Sequence, residues 1–175
     1  MKSKGFGFET PYEGKTNDWI TPRWLVEALG EFDLDPCASV KQPWALAKKS
    51  YTPPKDGLSL PWKGRVFCNP PYGPNVAKWA IRMKEHGNGI LLIFSRTDTK
   101  AWEKVWKGGD AFLFLTGRIR FYLPDGQRAK SGTAPSVLVA YGQDNVVALR
   151  HSKLVGAFFT KVSFIEEGTK EIEPI

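Results

Sequence analysis

Asn69-Pro70-Pro71-Tyr72 is the stretch of this 175-residue chain whose residue types most directly suggest chemistry. It follows Arg65-Val66-Phe67-Cys68, which reads as a short buried strand. Two consecutive prolines have no N–H to give to a sheet ladder, so the strand must stop and hold a rigid, extended turn. Pro70 also biases Asn69 away from helical geometry. A side-chain amide, a free carbonyl and an aromatic ring are thus displayed together at a strand's end. Such a group suits a flat ring bearing an exocyclic amine. The amide oxygen of Asn69 and the carbonyl of Pro70 would accept the amine's two protons, and Tyr72 would stack on the ring face.

The elements that must position this turn follow from periodicity and punctuation. Residues 1–16 are rich in Gly, Lys and Thr without periodicity and read as a loose arm. A single domain is expected over residues 17–165, followed by an acidic tail over 166–175. Thr21-Pro22 looks like a helix start, with Thr21 as N-cap and Gly30 as terminator. Phe32 to Ala38 reads as a strand ending at a carboxylate and a proline, and residues 40–49 as a short helix limited by Pro43 to its second half. Helices are expected over Val76–Glu85 and Thr99–Trp106, and strands over Gly89–Ser95, Ala111–Leu115, Ser136–Tyr141 and Val146–Leu149. Continuous apolar strands alternating with helices predict an α/β fold, a mostly parallel sheet with helices on both faces.

Composition sets outer limits. Net charge is +7 and the sequence pI about 9.4, which favours a polyanionic partner. Cys37 and Cys68 form no Cys-x-x-Cys, and His86 and His151 are far apart in sequence, so no metal site is expected. Both cysteines sit in strand-like apolar runs and read as buried free thiols. No secretory leader is apparent and no apolar run approaches a membrane span, so a cytoplasmic location is expected.

In open α/β sheets, ligands bind beyond the carboxyl ends of the strands, near a switch in strand order. Two strands here end in chemistry, one at Asp35-Pro36 and one at Asn69-Pro70. If they are neighbours, one crevice serves both. Asp35 could then meet a cation such as the amino group of a methionine moiety. Asp56 could accept from an adenine amine or a ribose, or could simply cap the turn before Gly57. The Gly-rich phosphate loop of dinucleotide sites is missing, which argues against NAD, FAD and nucleoside triphosphates.

Asp18-Trp19-Ile20-Thr21-Pro22, Leu34-Asp35-Pro36-Cys37-Ala38, Asp56-Gly57-Leu58, Trp62, Asn69-Pro70-Pro71-Tyr72 and Gly117-Arg118-Ile119-Arg120-Phe121 occur in this order. The set resembles the phage-type DNA N-6-adenine methyltransferases, the phage Dam-like family, over roughly residues 16–142. The resemblance implies a Rossmann-like class I methyltransferase fold, S-adenosylmethionine as donor and adenine in double-stranded DNA as acceptor. It places Trp19, Thr21, Pro22 and Asp35-Pro36-Cys37-Ala38 on the methionine side of the cofactor. Asp56 and Gly57 would hold the adenosine side, and Asn69, Pro70, Pro71 and Tyr72 would form the catalytic turn. The Phe-x-Gly-x-Gly cofactor loop of larger methyltransferases is replaced here by Asp-Pro-Cys-Ala.

With that acceptor the chemistry is orientation and electrostatics, with no covalent enzyme intermediate. A base inside a duplex cannot reach such a pocket, so base flipping is implied. Pro36-Cys37 echoes the cysteine nucleophile of cytosine C5 methyltransferases, but that chemistry would leave the Asn-Pro-Pro-Tyr turn without a role. Residues 96–130 hold eight basic and four acidic side chains. Arg96, Lys100, Arg118, Arg120, Arg128 and Lys130 are the candidates for contact with DNA. RNA or protein glutamine as acceptor, and a non-catalytic DNA-binding module on the same fold, are the competing readings.

Overall fold

The computed structural model describes residues 19–160 apart from 74 and 130–133. Lys130 and the expected N-terminal arm and acidic tail lie outside the described residues. Seven strands form one sheet: β1 (Leu34–Asp35), β2 (Lys49–Ser50), β3 (Val66–Cys68), β4 (Gly89–Phe94), β5 (Ala111–Leu115), β6 (Ser136–Tyr141) and β7 (Gly156–Thr160). Their spatial order is β2-β1-β3-β4-β6-β5-β7. β1 pairs in parallel with β2 and β3, and β3 with β4. β6 runs antiparallel to both β4 and β5, and β7 antiparallel to β5. β5 therefore shares the direction of β1–β4, but three of the six strand pairings are parallel and three antiparallel, so the sheet is mixed and not mostly parallel as expected: β6 enters between β4 and β5, and β7 adds a further antiparallel edge.

Four helices cover the sheet: α1 (Arg23–Glu27), α2 (Val76–His86), α3 (Lys100–Gly108) and α4 (Gln143–His151). Leu25 and Val26 of α1 share one buried cluster with Val146 and Leu149 of α4, against Phe67, Leu92, Leu113 and Leu138 of the strands. Trp79, Ala80 and Met83 of α2 share the other with Trp102 and Val105 of α3, against Val66, Leu91, Phe112 and Val139. The two clusters take alternate residues of β4 and β6, as the period of two along a strand requires. Helices thus lie on both faces. In α2 Trp79, Ala80 and Met83 are buried and Val76 partly so, the apolar stripe of an amphipathic helix. Gly87 ends it at φ 70°, a left-handed turn that glycine adopts at little cost.

Three local expectations are corrected. Val146–Leu149 lies inside helix α4 and is not a strand. Asn145, wholly buried, explains why. Its Nδ2 donates to the Tyr141 carbonyl and to Asn88 Oδ1, and its Oδ1 accepts from Arg65 Nε at 2.7 Å. Those three bonds pin a helix against the start of β3, a tertiary demand that overrides the local β-preference of two valines. Residues 40–49 contain no helix. Backbone N–H groups of Lys48 and Lys49 are instead given to the carbonyls of Phe32 and Asp33, which leads the chain into β2. The expected strand over Phe32–Ala38 is only Leu34–Asp35, so Cys37 sits in a turn, partly exposed, while Cys68 is buried in β3. β7, an exposed edge strand, is not among the strands expected from the sequence, although Phe158-Phe159-Thr160 are strand-forming residues.

Candidate active site

β1 and β3 are neighbours, in register through Leu34 and Val66. Between them the strand order reverses, so the two carboxyl ends flank one switch-point crevice. The crevice is lined by Trp19, Thr21, Asp35 and Cys37, by Asn69, Pro70, Pro71 and Tyr72, and by Ser39, Gln42 and Leu46. The condition set by the sequence, that the strands ending at Asp35 and Asn69 be adjacent, is met.

Asn69 is held from behind. Its Nδ2 donates to the hydroxyl oxygen of Thr21 at 3.0 Å and to the carbonyl of Trp19 at 3.2 Å. The hydroxyl of Tyr72 donates to Asn69 Oδ1 at 3.2 Å. The Tyr72 ring lies almost parallel on Phe94, at the end of β4, with centroids 3.8 Å apart and planes 5° off. Phe94 therefore backs one face of the tyrosine. Burial pushes the Tyr72 phenol upward, so it stays protonated and a donor.

Asp35 is 3% exposed. Its carboxylate accepts from the Cys37 backbone N–H at 3.1 Å and from the Gln42 side chain, and no cation stands against it among the described residues. Desolvation raises its pKa to about 6, against the lowering effect of those hydrogen bonds. A buried carboxylate short of a counter-charge is suited to an ammonium group. The Cys37 thiol donates to the Asn69 carbonyl oxygen at 3.2 Å and lies 3.6 Å from Cys68 Sγ. Burial drives it well above the ordinary thiol range, which makes it a poor nucleophile.

Other residues singled out from the sequence lie around this centre. Thr21 makes no N-cap hydrogen bond: Pro22 occupies that position of α1, and the hydroxyl serves Asn69. Ala38 is buried and gives its N–H to the Tyr51 carbonyl. Asp56 is exposed and caps its own turn, accepting from Leu58 N–H at 3.0 Å. Gly57 abuts Pro36 so closely that a β-carbon there would fall 1.7 Å from the Pro36 carbonyl oxygen. Arg96, Lys100, Arg118, Arg120 and Arg128 are all exposed. Arg96 follows β4, and the loop carrying Arg118, Arg120 and Arg128 follows β5. Tyr122 in that loop bridges both Ile20 and Arg128, which ties the loop to the segment lining the crevice.

Phe94, Gln42 and Trp44 belong to the site's surroundings without having been singled out. Trp44 Nε1 donates to the Thr21 carbonyl at 3.0 Å. Gln42 and Trp44 stand in a stretch read as a broken helix, and Phe94 reads as ordinary strand core. Among the described residues no group of three or more His, Cys, Asp or Glu could hold a metal ion, and no helix is long and apolar enough to cross a membrane.

No curated protein and no solved structure matches the chain. A family model described as DNA N-6-adenine-methyltransferase (Dam) matches residues 9–155. That span takes in both strand ends of the crevice, the basic loop and most of the sheet. An Asn-Pro-Pro-Tyr turn facing a buried carboxylate across a switch point is thus set in a match covering most of the sequence, and the chain belongs to the DNA N-6-adenine-methyltransferase (Dam) family.

Proposed function

We propose that this protein transfers the methyl group of S-adenosylmethionine to the exocyclic amine of an adenine flipped out of double-stranded DNA. The observation that carries the reading is the Asn69 amide, tethered through its nitrogen to Trp19 and Thr21 and lining the crevice at the end of the strand next to that of Asp35. The strand order, with its switch between β1 and β3 and antiparallel β6 between β4 and β5, supports a Rossmann-like class I methyltransferase fold.

The residues fit the cofactor. Asp35, buried and without a cation among the described residues, would hold the methionine ammonium group, and Trp19, Thr21 and Cys37 line the same crevice. S-adenosylmethionine supplies an electrophilic methyl group on a sulfonium. Adenine's exocyclic nitrogen is a weak nucleophile because its lone pair is delocalised into the ring. Asn69 Oδ1 and the Pro70 carbonyl each accept one amine proton, which favours a pyramidal nitrogen and frees the lone pair. Pro70 and Pro71 keep those acceptors in fixed relation, since neither peptide can join a ladder. The base stacks on the face of Tyr72 that Phe94 does not cover. Preorganised acceptors of this kind act where charge develops and require no reorganisation during the step. Arg96, Lys100, Arg118, Arg120, Arg128 and Lys130 are the residues proposed to supply phosphate contacts.

Incubation with labelled S-adenosylmethionine and unmethylated duplex DNA, followed by nucleoside analysis, tests this directly. N6-methyladenine is the expected product. Label found only on RNA or on protein glutamine would overturn the DNA acceptor, and failure to bind the cofactor would favour a non-catalytic DNA-binding module.

A further inference from the structure

We propose that Thr21 is a positioning residue that holds the Asn69 amide in the orientation selected by the Trp19 carbonyl. The inference rests on the reading of Asn69 as acceptor for the target amine. A side-chain amide has two nearly isosteric orientations, and only one offers an oxygen to the crevice. Here the choice is made by what stands behind it. The carbonyl of Trp19, 3.2 Å from Asn69 Nδ2, can only accept and so selects the orientation, and the Thr21 hydroxyl oxygen at 3.0 Å accepts the second amide proton and fixes the side chain there. Together they take both amide protons. A flipped amide would set its oxygen against the Trp19 carbonyl and present two N–H donors to an amine that itself donates. The amine would then lose one of its two acceptors and keep only the Pro70 carbonyl.

Thr21 can enforce this because it is itself fixed. It is 1% exposed. Its carbonyl accepts from Trp44 Nε1 at 3.0 Å, and the preceding Ile20 exchanges two backbone hydrogen bonds of 2.9 Å with Tyr122. The hydroxyl therefore sits on backbone clamped from two sides. The Trp19 acceptor is main chain and survives any substitution, and among the described residues Thr21 is the only side chain supplying an acceptor to Asn69 Nδ2.

The test compares Thr21→Val and Thr21→Ala, which remove the hydroxyl with and without filling its space, with Thr21→Ser, which keeps it. Single-turnover methyl transfer, cofactor binding by titration and thermal melting are measured for each, with Asn69→Ala alongside. Both hydroxyl-free variants are expected to lose roughly 10- to 100-fold in kcat, with cofactor affinity within about threefold of wild type. Thr21→Ser is expected to retain kcat within about threefold. Two hydroxyl-free variants are used so that a misfolded valine form still leaves the alanine form to decide. Wild-type kcat in either folded variant would overturn the proposal, as would an equal loss in Thr21→Ser. A loss of cofactor affinity with kcat intact at saturation would make Thr21 a cofactor contact instead. An active Asn69→Ala would overturn the acceptor reading itself, whereas inert Asn69→Ala beside fully active Thr21→Val would overturn only the role given to Thr21.

Discussion

The two halves of the sheet are built differently. On the β2-β1-β3 side the strands are two or three residues long and parallel, and β1 and β3 end in the crevice. On the β6-β5-β7 side they are five or six residues long, antiparallel, and contribute no residue to the crevice lining. β6 alone buries all six of its residues. Short parallel strands make few ladder bonds but deliver two chain ends side by side, which is what a shared site needs. Long antiparallel strands make many and supply the apolar mass. β4, parallel to β3 and antiparallel to β6, joins the two regimes. The difference teaches that chemistry and stability are largely separate here, and each should be breakable without the other.

The strongest break on the chemical side is Asn69→Ala. Methyl transfer should fall by about 10³-fold or more while cofactor binding and melting temperature change little. Near-wild-type turnover would remove Asn69 from the reaction. On the other side, Phe112→Ala empties a fully buried position on β5 that packs on Trp106 with ring centroids 4.9 Å apart. It should cost about 3–5 kcal/mol in denaturant unfolding, with turnover per folded molecule preserved. A loss of turnover at full folding would show that the halves are coupled.

Asp35→Asn sharpens the comparison, because this residue belongs to the fragile half and opposes its stability. The folded state holds the Asp35 proton more tightly than the unfolded chain, with a pKa near 6 against an ordinary 3.8. The contribution of this group to stability is therefore fully present below about pH 4 and is lost as pH rises through about 6. The asparagine variant should be more stable than wild type by roughly 2–3 kcal/mol at about pH 7, with the gap closing near pH 4. It should also bind S-adenosylmethionine at least about tenfold more weakly, and wild-type affinity should fall as pH drops below about 6. A pH-independent difference in unfolding between the two proteins would contradict this. The smallest expected effect is that of Arg120→Ala. It should weaken DNA binding a few-fold and reduce the salt slope of log K by about 0.9, and an unchanged slope would take Arg120 out of the phosphate set.

What was legible in the sequence were the features that are local and continuous. Ile90-Leu91-Leu92-Ile93 and Ala111 to Leu115 announce strands because every residue is apolar, and Gly87 and Gly109 close the helices before them. The Asn-Pro-Pro-Tyr turn was legible because proline chemistry is local. What depends on distant partners was not. Val146–Leu149 is a short apolar run that suits a strand or a helix, and the decision lies in Asn145 bonding to Asn88 and Arg65 far along the chain. Thr21 was assigned to a helix cap and to the cofactor, because nothing near it in sequence reveals that its hydroxyl meets Asn69, 48 positions away. Asp35 and Asn69 were each visible, but their adjacency became a fact only once β1 and β3 were paired.

The contact between Gly57 and Pro36 bears on how mutational data for this protein would be interpreted. The smallest possible side chain at position 57 collides with the Pro36 carbonyl, one residue from Asp35. A saturation scan scored on methyl transfer would therefore rank Gly57 among the least tolerant positions. That intolerance measures spacing between two backbones, and an activity screen by itself would mistake a spacer for a ligand.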